Sequence, residues 1–246
     1  MLTSELYKYF KESSSVSTDT RLIKKGSIFF ALKGENFDGN KFAEEAINNG
    51  ASYAIIDDHS LNNPKFIKVK NALKSLQDLS NFHRSKFLKT KIIALTGSNG
   101  KTTTKELISE VLKKKYRIIS TIGNLNNHIG VPLTLLRIKS DTEIAIVEMG
   151  ANHLNEIKFL TELINPDFGL ITNFGKAHLE GFGSIEGVIK GKSELFDFLI
   201  NNNKKAFINN DDPVQNQFVG NKISFSSEGK SNYIFKEVKE TDYAGL

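Results

Sequence analysis

A short glycine-rich segment near the middle of the chain has the composition of a phosphate-binding loop. In order, it contains Gly97, Ser98, Asn99, Gly100, Lys101, Thr102 and Thr103. The glycines leave backbone N–H groups uncovered, the lysine can neutralise terminal phosphates, and a threonine hydroxyl can bind Mg²⁺. The spacing G-x-x-G-K-T is two residues shorter than the usual P-loop, because Leu95 stands where that pattern has its first glycine. The apolar run before the loop and the amphipathic pattern after it favour a site for ATP with Mg²⁺ over an incidental glycine turn.

Two ionisable residues follow directly on other short apolar runs. Glu148 comes after IAIV, where a carboxylate beside a phosphate loop could bind Mg²⁺ or could be a solvated loop residue. His178 lies in the glycine-rich polar segment 173–181, where it could be a ligand or catalytic group, or a structural or exposed histidine. Both are candidates for catalysis or metal binding.

A lysine interrupts the apolar face of a predicted helix at residues 185–200. Lys192 falls inside the stripe formed by Ile185, Val188, Ile189, Leu195, Phe196 and Leu199. Such a lysine either extends its ammonium group to water along the helix surface or has a function in the interior. Spacing alone leaves both interpretations open.

Amide side chains are concentrated in the run NLNNHIGVP, which contains Asn126 and Asn127. The run can be a polar turn before a helix that begins at Pro132. Alternatively, its amides supply uncharged donors and acceptors to a polar substrate.

The elements that must position these residues alternate between short apolar strands and helices. In the first ninety residues we predict strands at 27–32 and 52–56 and helices at 41–49 and 72–87, with Gly50 as a left-handed C-cap. From residue 91 onward we predict strands at 92–95, 144–147, 170–172, 206–208 and 233–238, and a helix after the loop that buries Leu107, Ile108, Val111 and Leu112. This pattern predicts an α/β fold with a parallel sheet covered on both faces, whose ligands lie at the carboxyl ends of the strands.

Composition restricts the class of protein. The 246 residues include no cysteine, so a disulfide framework and thiolate metal sites are excluded. No segment has the apolar run of a signal peptide or membrane span, and we expect a cytoplasmic protein without membrane insertion. The net charge is +5, but the lysines are scattered and no nucleic-acid-binding motif is present, so we expect no nucleic-acid partner.

Six motifs that occur in order resemble the Mur ligases of peptidoglycan synthesis: TGSNGKTTTKE, GNLNNHIGVPLTLL, VEMGANH, NFGKAHLEGFGS, KGKSELF and INNDD. The N-terminal STDTRLIKKGSIFFALKGENFDGNKFAEEAINNGA resembles the domain that binds the UDP end of the substrate in this family. The likeness runs from about Ser17 to Asp212 and is greatest for the type that adds D-alanyl-D-alanine.

The resemblance implies a domain organisation and a reaction. Residues 1–89 would form a small α/β UDP-muramoyl substrate-binding domain, and residues 90–246 a P-loop-type, parallel-sheet central ATP-binding domain. That second domain would be incomplete, with the C-terminal ligase domain absent, so we expect weak or no activity from this chain alone. ATP would phosphorylate the terminal carboxylate of UDP-N-acetylmuramoyl-tripeptide, and the amine of D-alanyl-D-alanine would attack the acyl phosphate.

The resemblance also assigns roles to the candidate residues. Lys101 would hold the terminal phosphates, Thr102 and Glu148 would bind one Mg²⁺, and His178 would bind a second. Lys192 matches a lysine that is carbamoylated in the family and would assist the second Mg²⁺. Further contacts would come from Asn209 and Asp211 to adenosine, from Asn126 and Asn127 to the muramoyl peptide, and from Ser17, Thr18, Asp19 and Arg21 to the uridine diphosphate. We expect a monomer.

Several alternatives remain open at this stage. The nearest are a sister ligase that adds the third peptide residue and a folylpolyglutamate synthase. A GTPase or P-loop regulator is a different class, but the guanine-reading N-K-x-D motif is lacking, since residues 173–176 read NFGK. A third class is a non-catalytic module that binds a nucleotide or a UDP-sugar.

Overall fold

The structure is a computed structural model that describes residues 1–176, 178–227 and 229–235. Its strands are β1 (Val16–Ser17), β2 (Ile28–Phe30), β3 (Lys33–Gly34), β4 (Phe37–Asp38), β5 (Tyr53–Ile56), β6 (Phe66–Lys68), β7 (Lys91–Thr96), β8 (Ile118–Ser120), β9 (Ile144–Glu148), β10 (Phe168–Ile171), β11 (Lys205–Asn209), β12 (Lys222–Ser226) and β13 (Tyr233–Ile234). Its helices are α1 (Thr3–Glu12), α2 (Ala43–Asn48), α3 (Ala72–Ser85), α4 (Lys101–Leu112), α5 (Gly130–Leu135), α6 (Glu156–Ile164), α7 (Leu179–Phe182) and α8 (Ile185–Asn201). The predicted α/β fold with parallel sheets is confirmed.

The chain forms two compact units that each use two separate stretches of sequence. Unit 1 contains Met1–Lys91 and Leu107–Glu148, and unit 2 contains Ile92–Glu106 and Met149–Leu246. This grouping by contacts differs from a single boundary near residue 90, because the chain leaves unit 2 after Glu106 and returns to it at Met149. The predicted division into domains 1–89 and 90–246 stays a prediction.

Unit 1 is built around a four-stranded parallel sheet in the order β1-β2-β5-β6. Successive residues of β2 point to opposite faces, so Ile28 and Phe30 pack in a core with α1 and α3. Phe29 packs in a second core with α2, through residues such as Ala43 and Ala46. Both faces are therefore covered, which explains why β2 is wholly apolar instead of alternating. Unit 1 also contains the parallel pair β8–β9 and helix α5.

Unit 2 contains a run of parallel strands in the order β13-β12-β11-β10-β7. Helices α6 and α8 belong to this unit and pack against each other, and α8 also packs on β10. The carboxyl end of β7 leads into the glycine-rich loop and then into α4. Of the predicted strand 233–238, the structure shows β13, whereas residues 236–238 lie outside the described part of the chain.

The predicted buried face of α4 is wrong in part. Leu107 and Val111 are 64% and 71% exposed, whereas Lys105 and Ser109 are buried. The buried Lys105 ammonium forms an ion pair with Glu106 at 2.8 Å, which offsets part of the cost of removing its charge from water. The helix begins at Lys101 directly after the loop. Apolar spacing alone could not reveal that its inward face carries a paired lysine and a serine.

The predicted face of α8 is confirmed at four of its six apolar residues, while Ile189 is half-buried. Ile185 is exposed in the first turn, while Val188, Leu195, Phe196 and Leu199 are buried with Lys192. No helix in the described part of the chain is long and apolar enough to cross a membrane.

His83 connects α3 to the rest of unit 1. It is only 3% exposed and lies among the rings of Tyr7, Phe10 and Phe87. Its Nε2 lies 2.9 Å from the carbonyl oxygen of Ile138, and its Nδ1 lies 3.1 Å from the Tyr7 hydroxyl. A carbonyl can only accept a hydrogen bond, so Nε2 carries the hydrogen and Nδ1 accepts from Tyr7 in a neutral ring. Burial lowers the pKa of His83, with the charge of Lys11 acting in the same direction.

We expect acid to destabilise unit 1 through His83. In the unfolded chain this histidine has its ordinary pKa of 6.5 and binds a proton as the pH falls below that value. In the folded protein the pKa is lower, so the ring stays neutral to a lower pH. The free energy of unfolding should therefore fall as the pH is lowered through 6.5. Urea unfolding between about pH 8 and 5 measures this, with His83→Gln expected to flatten the pH dependence and His128→Gln, at an exposed position of the same unit, to leave it unchanged. An unaltered slope in His83→Gln would contradict the assignment.

Candidate functional site

The glycine-rich loop joins the end of β7 to the start of α4 through residues 97–100. Gly97 has φ +148°, and a Cβ atom placed on it would lie 1.9 Å from Thr172 Oγ1. Gly100 has φ +74°, and a Cβ atom there would meet nothing within 4 Å. Both positions therefore require glycine, the first because of a close approach and the second because of its backbone conformation. The open space beside Gly100 adjoins the N-terminus of α4, where anions bind favourably.

Lys101 lies across the loop. Its ammonium nitrogen donates to the carbonyl oxygens of Gly97 at 2.9 Å and Ser98 at 3.2 Å. The charge is thus held at the loop, as the phosphate-binding role requires. Thr102 and Thr103 follow in the first turn of α4, and both are exposed.

The segment 172–175, which follows β10, runs alongside the loop. The backbone N–H of Ser98 donates to the carbonyl of Asn173 at 3.0 Å, and the Ser98 hydroxyl donates to the carbonyl of Gly175 at 2.9 Å. Sequence reasoning did not single out Thr172 or Asn173 as site residues. The only available signal was that Thr172 ends a predicted strand and Asn173 begins the glycine-rich segment 173–181.

Lys192 is 1% exposed on α8, and its ammonium nitrogen lies 5.6 Å from the centre of the Phe182 ring. Burial, followed by the positive charge of Lys101, lowers the pKa of Lys192 to about 8. The structure therefore brings Lys192 within electrostatic reach of the loop lysine. It contradicts the alternative in which the ammonium group extends to water.

His178 directly precedes α7 in a left-handed conformation with φ +55°, and its side chain is exposed. In the turn that follows, Gly181 packs so close to the backbone of Asn152 that a Cβ atom on it would lie 2.1 Å from the Asn152 carbonyl oxygen. The Phe182 ring is seated against α8, where a Cβ atom on Gly191 would lie 2.4 Å from a ring carbon. The turn after His178 and the helix of Lys192 are thus packed together within unit 2.

Glu148 is the last residue of β9 in unit 1 and is completely buried. Its Oε1 accepts a hydrogen bond from Asn126 Nδ2 at 2.7 Å, and its backbone N–H donates to Thr121 Oγ1 at 3.0 Å. Glu148 is therefore not a solvated loop residue, and the structure joins two of the predicted site residues. Asn127 has a structural contact as well, since its Oδ1 accepts from the N–H groups of Ile129 and Gly130 at the start of α5.

The residues predicted to lie near adenosine form a turn after β11. Asn209 Oδ1 accepts from the backbone N–H of Asp211 at 3.0 Å. The Asp211 carboxylate accepts from the Ser227 N–H at 2.7 Å and from the hydroxyls of Ser226 and Ser227. This turn is therefore tied to the end of β12.

The residues predicted to contact uridine diphosphate follow β1 in unit 1. Ser17 is buried, and its hydroxyl donates to the carbonyl of Asp19 at 2.8 Å. Arg21 pairs with Asp19, its Nη2 lying 2.6 Å from Oδ2, while its side chain is 85% exposed. The hydrogen bonds from Arg21 lower the pKa of Asp19 to about 2. Thr18 lies between Ser17 and this pair and is half-buried.

The chemistry of these groups fits a nucleotide with Mg²⁺. Thr96 Oγ1, at the base of the loop, is buried and makes no hydrogen bond within the described part of the chain. Residues 1–176, 178–227 and 229–235 contain no group of three or more His, Cys, Asp or Glu side chains placed to hold a metal ion. Mg²⁺ bound by a hydroxyl, one carboxylate, phosphate oxygens and water needs no such group.

Comparison with known proteins connects this geometry to a family. A family profile described as the Mur ligase middle domain matches residues 95–244, and one described as the Mur ligase family, catalytic domain, matches residues 12–86. The chain is 38% identical over 231 residues to UDP-N-acetylmuramoyl-tripeptide–D-alanyl-D-alanine ligase of Bacillus subtilis (strain 168), covering 92% of this chain and 50% of that protein.

Solved structures show the same likeness. MurF from Acinetobacter baumannii superposes with a TM-score of 0.79 at 30% identity, covering 91% of this chain and 52% of that one. MurF from Thermotoga maritima in complex with ADP superposes with a TM-score of 0.78 at 31% identity, covering 89% of this chain and 52% of that one.

The chain spans about half the length of the relatives it matches. The middle-domain profile alone covers more than half of the chain, and the residues it matches include the glycine-rich loop and Lys192. This chain therefore belongs to the Mur ligase family.

Proposed function

We propose that the protein is a ligase that uses ATP to join D-alanyl-D-alanine to UDP-N-acetylmuramoyl-tripeptide. The observation that carries the proposal is the glycine loop of unit 2, with Lys101 across it and the buried Lys192 within electrostatic reach. The names of the B. subtilis relative and of the MurF structures support the choice of substrates.

The proposed reaction has two steps. A carboxylate oxygen of the tripeptide attacks the γ-phosphorus of ATP, so ADP leaves and an acyl phosphate forms. The amine of D-alanyl-D-alanine then attacks the carbonyl carbon, phosphate leaves with the C–O bond electrons, and the amine proton passes to solvent. Such chemistry depends mainly on alignment and on neutralising phosphate charge. Lys101 and the first turn of α4 supply that neutralisation.

Mg²⁺, when bound, would neutralise phosphate charge. Thr102 and Glu148 are the proposed ligands of one ion. The hydrogen bond from Asn126 holds the orientation of the Glu148 carboxylate, as expected for a metal ligand. His178 and carbamoylated Lys192 are the proposed ligands of a second ion.

The surroundings of Lys192 support its carbamoylation. The neutral amine is the form that attacks CO₂, forming an N–C bond with release of one proton, and burial favours that neutral form. The product is an anion within electrostatic reach of Lys101, so modification replaces a repulsion between two cations with an attraction. This accounts for a lysine inside the apolar stripe of α8.

The remaining assignments follow the family resemblance. Asn209 and Asp211 would lie near adenosine, Asn126 and Asn127 near the muramoyl peptide, and Ser17, Thr18, Asp19 and Arg21 near the uridine diphosphate. Arg21 is exposed and carries the planar donor group that suits a diphosphate. The proposed protein is a cytoplasmic monomer.

The substrate assignment is tested on the full-length protein, by measuring phosphate release with ATP, UDP-N-acetylmuramoyl-tripeptide and one amine at a time. We expect release with D-alanyl-D-alanine and little with diaminopimelate, lysine or glutamate. A response to diaminopimelate or lysine, with none to D-alanyl-D-alanine, would instead identify a sister ligase.

Replacing Lys101 with Ala should reduce phosphate release by at least about 100-fold, because the loop loses the charge that neutralises the terminal phosphates. Mg-ADP binding should weaken in parallel. Lys114→Ala, at an exposed position beyond the end of α4, is the matched control and should behave as wild type. Retained turnover in Lys101→Ala would refute its role.

Replacing Lys192 with Ala should abolish turnover, and added acetate or another short carboxylate should restore part of it by substituting for the carbamate. Lys190→Ala, at an exposed position on the same helix, should remain active and should not respond to acetate. NMR of protein equilibrated with ¹³CO₂ gives a readout independent of activity. A carbamate signal is expected in wild type and in Lys190→Ala, and its persistence in Lys192→Ala would contradict the assignment.

A further inference from the structure

The phosphate loop has only two residues between its glycines, whereas the usual P-loop has four. A shorter loop has fewer backbone groups with which to hold its own conformation. Backbone N–H and C=O groups that are removed from water nevertheless need partners. The segment after β10 supplies them from outside the loop.

Asn173 pairs with both backbone groups of one loop residue. Its Oδ1 accepts from the N–H of Asn99 at 3.1 Å, and its Nδ2 donates to the carbonyl of Asn99 at 3.1 Å. A side-chain amide carries both a donor and an acceptor, so it can bond to the N–H and the C=O of one residue, as the backbone of a neighbouring strand would. Neither aspartate nor leucine, which branch at the same carbon, could make both bonds.

Thr172 acts on the same peptide from the adjacent position. Its hydroxyl donates to the carbonyl of Asn99 at 2.6 Å, so this oxygen accepts two side-chain hydrogen bonds. The same hydroxyl occupies the space where Gly97 would carry a Cβ atom. Gly175 closes the contact, since a Cβ atom there would lie 3.0 Å from Asn99 Nδ2. The loop and segment 172–175 are therefore fitted to each other.

These contacts use backbone donors that a phosphate would otherwise bind. The N–H groups of Ser98 and Asn99 donate to the carbonyl and the side chain of Asn173. Phosphate recognition is thereby placed at Gly100 and the first turn of α4, where a helix presents N–H groups that its own hydrogen-bond ladder does not use.

We propose that Thr172 and Asn173 are positioning residues for the nucleotide phosphates, acting by holding the peptide of Asn99 so that Gly100 and the start of α4 face the ligand. The inference deepens the proposed function and depends on it for the identity of the ligand. The protein's own side chains make these hydrogen bonds to the loop, so less conformational freedom of the loop is lost on binding, which favours affinity.

Hydrogen exchange of the nucleotide-free protein tests the hydrogen bonds themselves. We expect slow exchange of the Ser98 and Asn99 amides in wild type. Exchange of the Asn99 amide should be at least about tenfold faster in Asn173→Ala and faster in Thr172→Val, whereas Thr172→Ser should keep its protection because it keeps the hydroxyl. The Ser98 amide bonds to the backbone carbonyl of residue 173, so its exchange should change less in Asn173→Ala. Asn202→Ala, which removes an exposed side-chain hydrogen bond at the end of α8, is the matched control and should leave the loop unchanged. Unchanged loop exchange in Asn173→Ala would overturn the proposal.

Ligand binding separates positioning from general stability. By calorimetry, Asn173→Ala should bind Mg-ADP and inorganic tripolyphosphate on the order of tenfold more weakly than wild type, with thermal unfolding showing that it remains folded. Binding of adenosine, which lacks phosphates, should change little, whereas a general loss of structure would weaken all three ligands. Wild-type affinity for Mg-ADP in a folded Asn173→Ala protein would overturn the proposal.

The outcomes also separate this proposal from the proposed function. If wild type binds neither Mg-ADP nor tripolyphosphate, the ligase proposal fails and so does the phosphate-positioning role. This holds even if hydrogen exchange shows that Asn173 protects the Asn99 amide. If wild type binds both but releases no phosphate with any amine, the ligase proposal fails alone, and the binding of the variants still decides the role of Asn173.

Discussion

The nucleotide end of this protein depends on a tight turn, in which the chain leaves β7 at Thr96 and starts α4 at Lys101. Four residues must reverse the backbone hydrogen bonding from a sheet to a helix and still leave N–H groups for a ligand. Two glycines make the turn sterically possible, and Asn173 satisfies the peptide of Asn99 from outside. The helix that starts at this turn buries Lys105 and exposes Leu107.

Charge is the second determinant of the site in unit 2. Lys101 and Lys192 are cations that interact unfavourably, and Lys192 is also removed from water. Under the proposed function, nucleotide phosphates would neutralise Lys101 and carbamoylation would reverse the sign of Lys192, so both changes would relieve this unfavourable interaction.

Periodicity predicted α8 well because its buried face is strongly apolar, and the one charged residue in that face was recognised as unusual. The same reasoning failed for α4, where the inward face carries Lys105 and Ser109. Among the site residues, Glu148 could be located at a strand end, but only the structure shows that it is buried and bonded to Asn126. Residues such as Thr172 were missed because a threonine after a strand has no distinctive pattern.

The sequence by itself determined the α/β class, the alternation of strands and helices, the glycine-rich loop and the family, since these depend on local patterns and on motifs in order. Only the tertiary structure decided which residues support the loop. Thr172 lies 73 residues from Asn99 in the chain, yet its hydroxyl bonds to that residue's carbonyl. The pairing of β10 with β7 brings them together, and the pairing of strands depends on packing across the whole sheet, which local sequence does not encode.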